Sequence, residues 1–360
     1  MACSPSQYSL RIEFGFIYLQ NGIQALLRVV FTDPDPKIWD DVQMETGSSE
    51  FNILSQICRP EAVLDPRVLI GPGDDLAMVR VLPPGEDGVG ETPTVLLAGV
   101  DQLIDGLHVS IEDAGLKAAG HKAIARSLSD IAAMCGRPVA TLVSAVLPLK
   151  MTESDSMILF DAMKATADRH HAPLVGGDLA YHQTEEGPLT CSVTVLAVPP
   201  PQGSIERFGA QAGDGIYVTG ELGNGWRSDH HLTFEPRLSE ASMLRAILGD
   251  RLHAMIDISD GLGRDAAHLV ERSSLQIVLE STELPLRSNA DIEAAIVDGE
   301  DYELLFAACG EVPEGLGACP VTRIGTVRES TSEAGGSVLL SIDGRQVDVS
   351  RKGWEHAGHG

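Results

Sequence analysis

Aspartates recur in one kind of place along this 360-residue chain, at the end of an apolar run or in a glycine turn. Asp74 and Asp75 follow Gly71-Pro72-Gly73, Asp101 ends the run Thr94 to Val100, Asp178 follows Gly176-Gly177, and Asp257 and Asp260 flank Ile258-Ser259. Asp130 lies in an alanine-rich helical stretch. Each alone reads as a turn former or a helix cap. As a set they point elsewhere. Two unpaired carboxylates about 4 Å apart repel by roughly 4 kcal/mol at an intermediate effective dielectric, so a converging set implies cations among them. Magnesium fits, because it takes oxygen ligands and shares its shell with water and substrate phosphates.

The chain has no GxxxxGK[ST] loop and lacks the GxGxxG, HRD and DFG set, so the two commonest ways of holding ATP are absent. Glycine-rich segments beside the aspartates, 71–73, 176–177 and 220–225, offer backbone N–H groups to phosphate oxygens instead.

The elements that must position these groups follow from hydrophobic spacing. A helix is expected over 48–57 behind serine caps, strands over 68–70 and 77–82, and a surface hairpin loop over 83–93. Thr94 to Val100 reads as a buried strand ending at Asp101, and Gly120 to Met134 as the helix carrying Asp130. A second helix is expected over 155–170, a strand over 173–175 that stops at the glycine pair, and a strand over 190–198. In the second half we expect a strand over 215–219, a strand-turn-helix unit over 254–273, a strand opened by Gly299-Glu300-Asp301-Tyr302-Glu303-Leu304, and short strands over 321–350. The mixture predicts α+β domains. Residues 1–45 are expected to form an N-terminal extension, disordered or not native, with Met44 an alternative start. A domain over 46–200 would bind ATP and metal and dimerise, and one over 201–356 would complete the site, the proline cluster 199–201 marking the boundary.

Composition narrows the partners. The 26 Lys and Arg against 52 Asp and Glu leave a net charge of −26, the opposite of what a nucleic-acid backbone binder needs. Six cysteines without CxxC spacing suggest neither a zinc site nor a disulfide framework, and a reducing cytoplasm is expected. The apolar stretch 14–31 is interrupted by Gln20, Asn21 and Gln24, so no membrane span is expected.

Five motifs carry a family resemblance: Gly-Pro-Gly-Asp-Asp (71–75), Ser-Leu-Ser-Asp-Ile-Ala-Ala-Met (127–134), Val-Gly-Gly-Asp (175–178), Asp-Ile-Ser-Asp-Gly-Leu (257–262) and Gly-Glu-Asp-Tyr-Glu-Leu (299–304). With Ser49-Glu50-Phe51 and Lys352-Gly353-Trp354 near the ends, the chain resembles the thiamine-monophosphate kinases over residues 47–356. The resemblance implies a two-domain α+β architecture like that of aminoimidazole ribonucleotide synthetase, with an N-terminal mixed sheet with helices and a C-terminal α+β domain. It implies a homodimer that uses ATP and Mg2+ to convert thiamine monophosphate to thiamine diphosphate by direct in-line transfer.

On the same basis Asp75, Asp101, Asp130, Asp178, Asp257 and Asp260 would bind magnesium, with Asp130, Asp257 and Asp260 central to catalysis. Gly177, Asp178, Arg207 and Ser259 would contact ATP, and His108, Glu300 and Trp354 would face the thiamine phosphate. The side-chain chemistry agrees: Arg207 offers a planar fork to phosphate, and Trp354 can stack on a flat heteroaromatic ring. Three departures are visible. Gly99-Val100 stands where the family carries a hydroxyl pair, Gly-Gly-Asp is followed by Leu179-Ala180, and 220–236 is short. They keep open a related enzyme acting on another small phosphorylated heterocycle, or a catalytically silent nucleotide binder.

Overall fold

The computed structural model describes residues 66–71, 74–82, 94–330 and 336–355, together with the backbone of 11–19 and 22–30. Strands β1 (Arg11–Leu19) and β2 (Gly22–Val30) pair as an antiparallel hairpin, Arg11 opposite Val30 and Leu19 opposite Gly22. This hairpin belongs to a unit made of Met1–Ser49 and Ala357–Gly360, and all that follows concerns the other unit, Glu50–His356. The expected helix over 48–57 and loop over 83–93 lie outside the described residues.

The first half builds a six-stranded mixed sheet in the order β3-β4-β5-β8-β6-β7. Its strands are β3 (Val68–Ile70), β4 (Ala77–Leu82), β5 (Thr94–Ile104), β6 (Arg137–Leu147), β7 (Leu174–Tyr181) and β8 (Thr190–Val198). Only β6 and β7 run parallel, as their connection through helix α2 (Glu153–Arg169) requires. Thr152 opens α2 with a capping box closed by Asp155. Along β8 the inward residues Cys191, Val193, Val195 and Ala197 alternate with half-buried ones, the period-2 pattern of a sheet with one covered face.

Three expectations are corrected here. Helix α1 spans Ile111–Ala133 and so starts before Gly120. Ser110 caps it by accepting the Asp113 N–H, and a kink at Gly115, with φ of 80°, conceals the helical period upstream. Strand β7 continues through the glycine pair, because Gly176, Gly177 and Asp178 pair with Leu142, Val143 and Ser144. A Cβ at Gly177 would lie 1.8 Å from the Val143 carbonyl oxygen, so only glycine permits that approach. Strand β5 runs past Asp101 to Ile104. Strand β6, whose Arg137-Pro138 opening disguises it, was not expected.

The second half builds an eight-stranded sheet in the order β10-β12-β9-β14-β11-β15-β16, with β13 paired to β14. The strands are β9 (Gly215–Thr219), β10 (Leu252–Asp257), β11 (Leu275–Glu280), β12 (Leu304–Ala308), β13 (Gly315–Leu316), β14 (Cys319–Glu329), β15 (Ser337–Ile342) and β16 (Arg345–Asp348). The short helix α3 (His230–Thr233) and helix α4 (Leu238–Leu248) precede β10. Helices α5 (Leu262–His268) and α6 (Ile292–Val297) share one core with this sheet through Leu262, Ala266 and Ile296. Two sheets with their helices make the expected α+β, two-part architecture.

Helix α1 serves both halves. Leu128 and Ile131 lie in the core of the first sheet, while Ala132 and Cys135 pack with Leu244, Met255 and Phe306 of the second. This places the C-terminal turn of α1 against β10, whose last residue is Asp257.

The α1 crossing over α2 depends on Gly120, where a Cβ would meet the Leu159 carbonyl oxygen at 2.5 Å and the Ala162 Cβ at 2.9 Å. Gly120→Val should overpack this crossing and cost about 1–3 kcal/mol, read as a lower urea midpoint; an unchanged midpoint would show that the helices part without cost.

Candidate active site

Asp75 precedes β4, Asp130 sits in the last turns of α1, and Asp257 ends β10, yet one carboxylate oxygen from each lies within 4.8 Å of the others. Ser129 Oγ donates to Asp257 Oδ2 at 2.5 Å, and Arg207 Nη2 donates to Asp75 Oδ1 at 2.6 Å. Arg207 also donates its backbone N–H to Asp74 Oδ2 at 3.4 Å. The second oxygen of Asp75 is buried with no hydrogen-bond partner.

Burial, followed by the fields of Asp101, Asp257 and Asp75, pushes the Asp130 carboxyl well above the usual carboxylate range. Burial and Asp75 likewise raise Asp257 to about 7, even though Ser129 and Arg207 favour its ionised form. Asp74 rises to about 7 for the same two reasons, with Arg207 opposing. Without a cation the cluster holds protons that free carboxylates shed at far lower pH. An oxygen-only donor set, crowded and with one buried oxygen unbonded, suits a hard divalent cation.

The other predicted ligands fall around this triad. Asp101 accepts from Arg126 Nε at 3.3 Å, and Arg126 Nη1 donates to the Gln102 carbonyl at 2.7 Å. Asp260 and Ser259 line the adjoining cavity. Their turn is held by Asp265, a residue that sequence reasoning missed, whose Oδ2 accepts the N–H groups of Ser259, Asp260 and Gly261 at 3.0, 3.0 and 3.1 Å. Asp178 is not brought into the triad. It lies exposed on β7, an edge strand, opposite Ser144, with Gly177 beside it.

The cavity has a volume of about 330 Å³ and is lined by aromatic rings and acids, among them Trp226, Tyr302, Trp354, Asp260, Asp298 and Glu300. His108, Arg126 and Ser259 complete the wall. His108 also closes its own turn, since its Nδ1 accepts the Ile104 N–H at 3.0 Å.

Behind Glu300 lies a fully buried lysine that the sequence did not single out. Lys122 pairs with Glu300, donates to the His108 carbonyl at 2.5 Å, and lies 2.8 Å from His231 Nδ1. Burial lowers Lys122 to about 8 against the pull of Glu300. Burial would raise Glu300, but hydrogen bonding from His231 and the charge of Lys122 hold it down at about 2. The Trp226 ring stacks on His231 with centroids 4.2 Å apart. One signal could have found Lys122: with Arg126, Ser129 and Asp130 it repeats at i, i+4, i+7 and i+8, a polar stripe along one face of the helix.

The Gly-Glu-Asp-Tyr-Glu block divides its labour. Glu300 and Tyr302 have φ of 59° and 51°, so the backbone turns sharply at each. Glu300 faces the cavity, while Asp301 accepts from Arg287 Nη1 at 2.7 Å and from the Gly223 N–H at 3.0 Å. Tyr302 stacks on Phe234 with centroids 3.9 Å apart. Glu303 takes two bonds from Arg237, at 2.7 and 2.5 Å, and one from Thr219 Oγ1 at 2.6 Å. Asp301 and Glu303 therefore lock the block in place rather than touching the cavity.

Residues 73–198 match the family model of the AIR synthase related protein, N-terminal domain. The chain is 33% identical to the thiamine-monophosphate kinase of Rhodopirellula baltica over 276 residues, 73% of this chain and 84% of that one. It is 28% identical to the Bacillus subtilis enzyme of the same name over 340 residues, 85% of this chain and 99% of that one. It also resembles the solved structure of AaThiL complexed with AMPPCP and TMP, at a TM-score of 0.68 and 27% identity, covering 86% of this chain and 97% of that one.

The proton affinity of the triad has a measurable consequence. Asp257 keeps its proton to about pH 7 when folded but only to 3.8 in the unfolded chain, so metal-free stability should fall as pH rises through that window. The urea midpoint of metal-free protein should drop between about pH 4 and about pH 7, and Asp257→Asn should flatten the drop. An identical pH slope in wild type and variant would refute it.

Proposed function

The chain belongs to the thiamine-monophosphate kinase family, and from that premise we propose that its cleft phosphorylates thiamine monophosphate to thiamine diphosphate with ATP, the last step of thiamine diphosphate synthesis. The observation that carries this reading is the meeting of Asp75, Asp130 and Asp257 beside a cavity walled by aromatic rings and carboxylates.

The cavity suits a cationic, flat acceptor. Trp226, Tyr302 and Trp354 offer ring faces and edges to a heteroaromatic system, and the ionised Glu300 with Asp260 and Asp298 offers negative charge to a thiazolium. Trp354, about half exposed, has its backbone N–H bonded to the Asp260 carbonyl at 2.7 Å, which ties it to the metal-side turn. Arg126 reaches both the cavity wall and Asp101, so its guanidinium stands where an acceptor phosphate would meet the acidic cluster.

Asp75, Asp130 and Asp257 would hold magnesium, with Asp101 and Asp260 flanking them, and Gly177, Asp178, Arg207 and Ser259 would attend the nucleotide. Bound there, Mg2+ supplies the positive charge that lets two phosphate groups approach. Arg207, anchored by Asp74 and Asp75, is held ready for a phosphate oxygen without reorganising. An acceptor phosphate oxygen is already anionic near neutral pH, so no residue has to remove a proton. What this chain contributes is alignment and charge, which suits direct in-line transfer.

The same reading includes a homodimer. The first sheet leaves Val100 63% exposed, and its edge strand β7 leaves Val175 61% and Leu179 51% exposed. An uncovered apolar edge of this kind favours pairing with a second copy. No helix among the described residues is long and apolar enough to cross a membrane.

With ATP, magnesium and thiamine monophosphate the purified chain should yield thiamine diphosphate; ATP turnover only with other acceptors would overturn the assignment. Asp130→Ala and Asp257→Ala should each lower turnover by at least about 10³-fold while the chain stays folded. Glu300→Gln should chiefly raise KM for thiamine monophosphate, leaving KM for ATP in place. Light scattering should give twice the chain mass, and a monomeric mass would exclude the dimer.

A further inference from the structure

We propose that Asp214, His253 and Cys309 form a second metal site, of the zinc class, at the end of the C-terminal sheet opposite the phosphoryl-transfer cleft. Strands β10, β12 and β9 are neighbours, with Leu252 opposite Ala308 and Ala308 opposite Gly215. Asp214 immediately precedes β9, Cys309 immediately follows β12, and His253 is the second residue of β10. The register therefore brings all three to one end of the sheet. Asp257 lies four residues further along β10, roughly 13 Å away at the rise of an extended strand.

A local irregularity aims the histidine. The register of β10 against β12 shifts between Leu252 and Ala254, so His253 occupies a bulge and leaves the normal alternation. Its Nδ1 lies 2.9 Å from both oxygens of Asp214, whose side chain is 2% exposed. The Cys309 Sγ lies 3.9 Å from His253 Nε2. One donor atom from each residue falls within 4.8 Å of the others. Gln211 donates its N–H to Asp214 Oδ2 at 2.8 Å, and Cys309 donates its own N–H to the Arg251 carbonyl at 3.1 Å. Both backbones are thus fixed before any ion arrives.

The donor set selects the ion. Magnesium takes oxygen ligands and belongs with the all-carboxylate triad. A thiolate, an imidazole and a carboxylate together favour zinc, with bonds of about 2.0 to 2.3 Å and a fourth position left to water. Donors on such a tetrahedron stand about 3.3–3.8 Å apart. With Asp214 now at Nδ1 and Cys309 at Nε2, a single ion takes one ring nitrogen, so binding turns the His253 ring, exchanges its Asp214 hydrogen bond for the metal and draws Cys309 inward. Binding there would clip three strand ends together and add to stability by linkage. The cysteine spacing in sequence shows nothing of this, because no two of the three residues are close along the chain.

Metal-stripped protein in excess magnesium, titrated with Co2+ and Zn2+, tests the proposal. Co2+ should produce a sulfur-to-metal charge-transfer band, and one Zn2+ per chain should remain after desalting and raise the melting temperature. Cys309→Ser should abolish the band and the retained zinc, and the near-isosteric Asp214→Asn should weaken both, with circular dichroism checking the fold of each variant. Absence of the band in wild type, or a band and zinc content unchanged by Cys309→Ser, would overturn the site. The result is independent of kinase turnover.

Discussion

Repulsion among Asp75, Asp130 and Asp257 is the constraint around which the rest of the unit is organised. Their oxygens approach within 4.8 Å in a partly buried cleft, where like charges interact several-fold more strongly than in water. A chain selected for stability alone would replace such a cluster with apolar side chains, since buried charge is retained at a cost. Here the cost is offset in two ways: protons held on Asp130 and Asp257, and the guanidinium of Arg207 on Asp75. Both stand in for the positive charge that a divalent ion would bring. A divalent ion at the cluster would relieve this repulsion, and the relief would add to its affinity.

Helix α1 enforces the encounter. Its apolar residues are divided between the cores of the two halves, so neither the helix nor Asp130 can withdraw without opening packed interior. The face left over carries Lys122, Arg126, Ser129 and Asp130, which reach Glu300, Asp101, Asp257 and the acidic triad in turn. One rigid element thus sets the separation between the aromatic-walled cavity and the acidic triad. Precision of this kind is what phosphoryl transfer asks of a protein, because alignment and charge supply most of the rate.

The 299–304 block shows how backbone strain is held by side-chain bonds. Glu300 and Tyr302 adopt positive φ, a conformation costly for residues other than glycine. Asp301 and Glu303 secure it through Arg287 and Arg237, each a charge-assisted pair with a nearly fully buried carboxylate. Two acidic residues of the block are thus structural, which frees Glu300 to stand ionised in the cavity.

Most of the strands and the α+β class were legible in the sequence, as were the aspartates from which the triad is drawn, because alternation, glycine turns and strand ends are local patterns. Strand β6 and the first turns of α1 were not. A proline opening and the Gly115 kink break the period on which such reading relies. Six aspartates were named as metal ligands by resemblance, with Asp130, Asp257 and Asp260 foremost. Only the tertiary structure put Asp75, Asp130 and Asp257 together, left Asp178 on an exposed edge strand, and set Lys122 behind Glu300. It also joined Asp214, His253 and Cys309, through a strand bulge that no spacing rule reveals. Chemical type and local backbone preference are written residue by residue, whereas proximity between distant residues depends on sheet register and helix packing, which exist only once the chain has folded.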